Sequence, residues 1–424
     1  MGRLLRYLYS FLLYLALPYI FLRIYWRSRR LPAYRERVLE RVGFYPFSLE
    51  KCIWVHAVSV GEALAAVPLL KALKTRYPTW PLLVTTMTPT GAARVIAAMG
   101  DNIKHVYLPY DTLDGVARFL QTMKPAIAII METELWPNLL AACYARHIPL
   151  CLLNARLSAK SAAGYQKIAP LTATMLQHLS VIAAHGEVDA KRFIALGAPS
   201  DRVIVTGNIK FDLELPADLS AKSAALRVAL GAENRFIWIA ASTHDIEEEK
   251  MLAVHKQLLA TQPTALLILV PRHPDRFNTV AALCEQSGMK TVRRSSQHPQ
   301  QQSAEIYLGD TMGELLLLYA VADVAFVGGS LIERGGHNML EPGALGKPIL
   351  TGPHVFNFAE ISELFVTANA LIKVADEKIL LQQLQEWIAH PDARAATGAR
   401  AKQVVDANRG ALKKQLDVIK SLFS

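Results

Sequence analysis

Charged side chains recur in this chain where an apolar strand pattern gives way to a helix pattern, and these are the places where chemistry is expected. The stretch WVHAVSVGEALAAVPLL, Trp54 to Leu70, ends a strand at Ser59, turns at Gly61 and opens a helix with Glu62. A carboxylate there can simply oppose the helix dipole, or it can take a proton from an attacking hydroxyl. In IMETELWPN, Ile129 to Asn138, Glu132 and Glu134 follow a fully apolar strand. One of them can cap the helix beginning near Trp136, and Glu132, nearer the buried strand, is the better functional candidate. TGNIKFD, Thr206 to Asp212, offers Lys210 either to solvent or to an anionic ligand.

The second half has its own set. VPRHPDRF, Val270 to Phe277, delivers Pro271, Arg272 and His273 to a strand end, where the planar guanidinium of Arg272 suits a phosphate. His273 can bind a ligand or only pack. In GDTMGELLLLYAVADVAFVGGS, Gly309 to Ser330, Thr311 and Glu314 fit a capping box before an apolar helix. The main chain of Thr311-Met312-Gly313 would leave N–H groups free to read a base. GGSLIERGGHNMLEPGALGKPILTG, Gly328 to Gly352, is the most specific stretch. Its glycines allow a phosphate to approach the backbone, and a helix start is expected at Asn338–Met339. Glu341, one turn in, can accept the hydroxyls of a ribose.

These residues need a frame. Apolar strands alternate with helices from about residue 50: strands at Cys52–Val58, Pro81–Thr86, His105–Leu108, Ala126–Met131, Pro149–Asn154 and Val181–Ala184. The pattern pauses at Lys210–Ser220 and restarts with strands at Phe236–Ala240, Ala265–Val270, Glu305–Leu308, Val324–Val327 and Pro348–Thr351. Short apolar runs between helices indicate parallel sheets covered on both faces. Two doubly wound α/β domains follow, joined near residue 212, with ligands at the strand carboxyl ends and a cleft between the domains as the default site. A length of 424 residues agrees with two domains. The net charge of +10 calls for an anionic partner without choosing one. Cys52, Cys143, Cys151 and Cys284 form no CxxC pair and read as buried thiols. No metal-ligand set and no helix-turn-helix, RNA-recognition or Walker A pattern is present.

Residues Tyr7 to Leu22 carry no charge, with Arg3 and Arg6 before them and Arg23, Arg27, Arg29 and Arg30 after. A helix of this stretch would be about 24 Å long, short of a hydrocarbon core of about 30 Å. A cleaved signal peptide is disfavoured because no small-x-small site follows. A membrane anchor, spanning or lying in the interface, is expected, with a buried core helix as the alternative. The arginines argue for a following domain on the cytoplasmic side.

With these motifs in order along the chain, the sequence resembles the 3-deoxy-D-manno-octulosonic acid (Kdo) transferases. The resemblance runs through HAVSVGE, PTGAARV, METELWPNL, NARLSAKSAAGY, TGNIKFD, VPRHPDRF, GDTMGEL and FVGGSLIERGGHN. It implies a GT-B fold of two Rossmann-like domains with an interdomain cleft. The anchor would occupy residues 1–30, an acceptor-side domain residues 31–211, and a nucleotide-sugar domain residues 212–424. It implies inverting, metal-independent and cofactor-free transfer of Kdo from CMP-Kdo to the tetra-acylated lipid A precursor. The enzyme would work at the cytoplasmic face of a bacterial inner membrane, in contact with its lipids and not with nucleic acid. Glu62 matches the general base of the family, and Glu132 and Lys210 match residues that stabilise the transition state. Pro271 and Arg272, Met312 to Glu314, and Asn338, Met339, Leu340 and Glu341 match the CMP contacts. Met339 stands where many relatives have proline. Rival readings are a nucleotide-sugar epimerase, a membrane-bound nucleotide sensor and a nucleic-acid binder.

Overall fold

A computed structural model of the chain describes residues 1–29, 31–296 and 303–423. Arg30, the last of the expected arginine cluster, lies outside the described residues. Contacts divide the chain into two units, Met1–Asp212 with the segment from Arg409, and Leu213–Asn408.

The first unit is built on a parallel sheet of seven strands among the described residues: β1 (Cys52–His56), β2 (Leu82–Thr86), β3 (Lys104–Tyr107), β4 (Pro125–Met131), β5 (Leu150–Ala155), β6 (Val181–Ala184) and β7 (Val203–Val205). Their order is β3-β2-β1-β4-β5-β6-β7. The central strands are buried on both faces, as their unbroken apolar runs require. Trp54 is fully buried, edge-on to Phe119 with ring centres 4.8 Å apart, and its indole N–H donates to Thr85 Oγ1 at 2.8 Å. The order reverses between β1 and β4, so the loops after these two strands flank the switch point where such sheets bind ligands.

The second unit repeats the design with β8 (Ile237–Thr243), β9 (Leu266–Pro271), β10 (Thr291–Arg293), β11 (Ile306–Leu308), β12 (Val324–Val327), β13 (Ile349–Thr351) and β14 (Leu371–Lys373), in the order β10-β11-β9-β8-β12-β13-β14. The switch point falls between β8 and β12. The chain is thus α/β with two doubly wound parallel sheets. Sequence periodicity misses β7, β10 and β14, which are three-residue strands at sheet edges with too few residues to show a pattern. All four cysteines are buried and free.

The N-terminal helix runs Gly2–Ser28, longer than the uncharged stretch, at roughly 40 Å by its rise per residue. It docks along its length on the first unit. Ser10 Oγ and Asn138 Oδ1 lie 3.1 Å apart, Tyr14 Oη donates to Asp114 at 2.5 Å, and Phe21 meets Tyr110 edge-on. At its far end Ser28 Oγ accepts from Arg35 Nε at 2.6 Å. Leu4, Leu8, Phe11, Leu12, Leu15, Tyr19, Leu22 and Trp26 remain exposed, at the spacing of one helical stripe. The buried-core alternative is therefore set aside.

One boundary differs from expectation. The segment from Arg409, expected in the second domain, belongs to the first unit. Its helix Ala411–Leu422 has an apolar face that buries Ile419 against the helix Val60–Arg76, and Phe423 stacks on Tyr77 with ring centres 4.8 Å apart. Asp212 fixes where it starts: its carboxylate accepts the N–H groups of Gly410 at 2.5 Å and Leu412 at 2.6 Å. Asp212→Ala leaves both donors unsatisfied and is expected to cost about 1 kcal/mol of stability, read as a lower urea midpoint with unchanged slope.

Candidate active site

In the first unit the candidate residues converge on the carboxyl ends of β1, β4 and β5. Ser59 caps the helix Val60–Arg76 by accepting the Glu62 N–H at 3.2 Å. The Glu62 carboxylate returns the contact: Oε1 accepts from Ser59 Oγ at 2.7 Å and Oε2 from the Val58 N–H at 2.8 Å. This is a capping box whose carboxylate reaches one residue further back than usual. Capping and chemistry therefore do not compete at Glu62, because the cap fixes the carboxylate's direction and each oxygen keeps a lone pair. Burial pushes its carboxyl above the ordinary glutamate value, the Ser59 and Val58 hydrogen bonds pull it down, and the nearby Glu132 and Glu134 push it up. Beneath it, His56 is fully buried, bonded through Nδ1 to Thr85 Oγ1 at 2.8 Å, and kept neutral by burial, which lowers it to about 4.

Glu132 ends β4 in the left-handed region at φ +58°. Its N–H stays in the ladder, donating to Leu153 O at 2.9 Å, while the turn carries its side chain to Lys210, whose Nζ donates to Oε1 at 3.0 Å. A glutamate held at positive φ costs of order 1 kcal/mol or more. Lys210 owes its place to the turn Ile209–Phe211, which Asn154 ties to β5 by accepting the Ile209 N–H at 2.9 Å. The structure thus brings together Glu132 and Lys210, beside Glu62 and Glu134. Neither glutamate of IMETELWPN caps the helix Pro137–Ala145, contrary to one expectation. Glu134 accepts from the Trp136 indole at 2.9 Å. The cap is Asp111, whose carboxylate accepts the N–H groups of Asn138 and Leu139 at 2.9 and 2.8 Å. Asp111 lies too far away in sequence for a local motif to reveal it.

In the second unit, Pro271 ends β9, and Arg272 leaves its guanidinium exposed with no hydrogen-bond partner among the described residues. Asn338 bonds its neighbours twice, Oδ1 accepting the Leu340 N–H and Nδ2 donating to Glu341 Oε1, both at 3.1 Å. Burial pushes the Glu341 carboxyl up, opposed by Asn338 and by the charge of Arg272. Met339 and Leu340 are buried and can offer only main chain. Met312 is exposed and Gly313 sits at φ +83°.

Three details differ from expectation. The helix expected at Asn338–Met339 begins at Leu340 and ends at Ala344, too short for a strong dipole. The capping box at Thr311 and Glu314 does not form: the helix starts at Leu315, and Glu314 is clasped by Arg294 at 2.7 and 3.0 Å. The first glycine pair is not free for phosphate either. Glu247, fully buried, accepts the N–H groups of Gly329 at 2.7 Å, Ser330 at 3.0 Å, Leu331 at 3.0 Å and His244 at 3.1 Å. Glu247, His244 and His337 were not singled out from the sequence. The signal was STHDIEEE, Ser242 to Glu249, where a strand meets an acidic helix start at the switch point.

Comparison with known proteins fits this geometry. Residues 36–213 match the family model described as 3-deoxy-D-manno-octulosonic-acid transferase (kdotransferase). The chain is 43% identical over 419 residues to the 3-deoxy-D-manno-octulosonic acid transferase of Haemophilus influenzae, covering 98% of each chain. It is 37% identical to that of Bordetella pertussis over 387 residues, 88% of each. Among solved structures it resembles the UDP-GlcNAc 2-epimerase of Neisseria meningitidis in fold, with a TM-score of 0.57 at 16% identity over 88% of this chain and all of that one. At that identity the epimerase shares architecture only, whereas agreement with the transferases runs from end to end. The chain belongs to the 3-deoxy-D-manno-octulosonic acid (Kdo) transferases, glycosyltransferases of lipopolysaccharide biosynthesis.

Proposed function

We propose that this enzyme transfers Kdo from CMP-Kdo to the tetra-acylated lipid A precursor with inversion, using Glu62 as general base. The observation that carries the reading is the Glu62 carboxylate, buried, aimed by Val58 and Ser59, and beside the Glu132–Lys210 pair at the switch point of the first sheet. Glu62 takes the proton of the acceptor hydroxyl as that oxygen attacks the anomeric carbon. Positive charge developing on the sugar is eased by Glu132, which Lys210 keeps in place; Lys210 also offsets negative charge on the donor. On the second unit, Arg272 meets the leaving phosphate and Glu341 Oε2, free of hydrogen bonds among the described residues, accepts from the ribose. Pro271, Met312 to Glu314, Asn338, Met339 and Leu340 complete the CMP contacts, largely through main chain. The step needs no metal in this reading, because the leaving charge is met by a guanidinium.

We also assign the apolar stripe of Gly2–Ser28 to the cytoplasmic face of the bacterial inner membrane. A helix docked from end to end on the catalytic unit lies along a bilayer rather than across it, its arginines reaching anionic headgroups.

Glu62→Gln is expected to abolish mass gain on the lipid acceptor while CMP binding and folding persist; transfer at the wild-type rate would remove Glu62 from its role. Because the Glu62 carboxyl is raised and the base acts as carboxylate, kcat/KM should climb with pH through a value above the ordinary glutamate range. Ser59→Ala removes a hydrogen bond that favours the charged form, so this limb should move to higher pH, alongside about 1 kcal/mol of lost stability. An unmoved limb would mean that another group titrates. Replacing Leu8, Phe11 and Leu15 together by aspartate should release the protein from vesicles containing anionic phospholipid, and a triple variant that still sediments with them would refute the in-plane attachment.

A further inference from the structure

The second unit holds a cluster that the reaction described above does not use. The imidazoles of His244, His273 and His337 come from the loops after β8, β9 and β12, three adjacent strands at the switch point. His244 Nε2 and His337 Nε2 are 2.8 Å apart, and the His273 ring lies 5.4 Å from that of His244. Both loops of the pair are fixed from below by the four N–H bonds to Glu247. Gly329, at φ +67°, has no side chain where one would meet His337 Nε2 at 2.8 Å, so the fold makes room for this ring. A cleft of about 450 Å³ opens over His244 and His273, walled by Ile332, Arg334 and Arg276.

The charges around the pair are mostly positive. Arg272 and Arg334 donate no side-chain hydrogen bond to the described residues, whereas Arg276 is taken by Glu248 and Asp245. Burial and these cations hold His244 at about 4 and His337 at about 3, so both rings are neutral and share one proton in the contact. A neutral imidazole pair ringed by unspent cations suits an incoming anion. Glu333 and Asp245, the latter paired with Arg276, are the exposed carboxylates on the rim.

Resting on the donor reading above, we propose that His244 and His337, with Arg334, form the subsite for the carboxylate of the donor sugar acid. The chemistry constrains the place. An ulosonic acid carries its carboxylate on the same anomeric carbon that bears the phosphate, so the carboxylate subsite must adjoin the phosphate subsite. Arg272 is chain neighbour to His273 and acts electrostatically on both His244 and His337. The subsite would discriminate an acidic sugar from a neutral one and leave the nucleotide to other residues.

The test separates sugar from nucleotide. CMP affinity is measured by calorimetry, and donor KM and kcat with the lipid acceptor saturating, for wild type, His244→Ala, His337→Ala and His337→Gln. The alanine variants should raise the KM for CMP-Kdo roughly tenfold or more and leave CMP affinity within about twofold, the loss of a charged hydrogen bond confined to the sugar. His337→Gln, which keeps a donor and an acceptor, should recover most of the loss. An unchanged KM in both alanine variants overturns the proposal, as does a parallel fall in CMP affinity, which would mean that the loops have collapsed or that the rings serve the nucleotide. A wild type that does not bind CMP at all overturns the donor reading, and this inference with it.

Discussion

Four backbone N–H groups pointing at one buried carboxylate, Glu247, decide what the second unit can offer a ligand. Glycine-rich turns at the end of a strand ordinarily keep their N–H groups for a ligand's phosphate. Here an internal anion has already taken them. Each donor left without an acceptor would cost about 1–3 kcal/mol, so the loop after β12 is locked by its own chain. Around the locked loops stand Arg272, the Asn338–Glu341 pair and the paired imidazoles of His244 and His337. The first unit uses the same device on a smaller scale. Glu62 accepts the Val58 N–H and Asp111 accepts those of Asn138 and Leu139, so the turns after β1 and β4 are also held by carboxylates.

This economy has an electrostatic consequence. Glu62, Glu132 and Glu134 are gathered at the switch point of the first sheet with one lysine among them. Burial raises Glu62, hydrogen bonds from Ser59 and Val58 restrain the rise, and repulsion from Glu132 and Glu134 adds to it. A base must be ionised at working pH yet basic enough to accept a proton, and opposing terms of this kind set that compromise. Lys210 is tied to Glu132 and not to Glu62, which leaves Glu62 without a cationic partner among the described residues and Glu132 fixed. Left-handed backbone at Glu132 lets the strand keep its ladder bond while its side chain turns toward the lysine.

The regular part of this arrangement was legible in the sequence. The long apolar runs β1, β4, β8 and β9 declare a buried parallel sheet, and the residues that follow them declare where ligands bind. Glu132 stands out because a carboxylate directly after a buried strand has few structural explanations, whereas Glu62, Lys210 and Arg272 each carry an ordinary reading beside the functional one. Glu247 was missed for the opposite reason: three glutamates opening a helix look like ordinary dipole compensation, and only the fold shows that the first of them points inward. The capping box at Thr311 failed because Arg294, on a neighbouring strand's loop, outbids the local backbone for Glu314. The return of the last helix to the first unit was illegible because its contacts, Asp212 with Gly410 and Tyr77 with Phe423, are long-range.

Architecture alone would not have separated a transferase from an epimerase, since the same pair of Rossmann-like units serves both. What separates them is what each unit adds to the frame. An epimerase has no need of a helix that exposes Leu8, Phe11, Leu15 and Tyr19 along one stripe. On the proposed reading the acceptor is confined to the plane of a bilayer, and an apolar stripe on the same unit as Glu62 would hold the enzyme at that plane. Ser10, Tyr14 and Phe21 bind this helix to Asn138, Asp114 and Tyr110, next to Asp111, which caps the helix Pro137–Ala145. The exposed stripe and the carboxylate cluster at the first switch point therefore belong to one unit, so on the proposed reading attachment and chemistry are built into the same half of the chain.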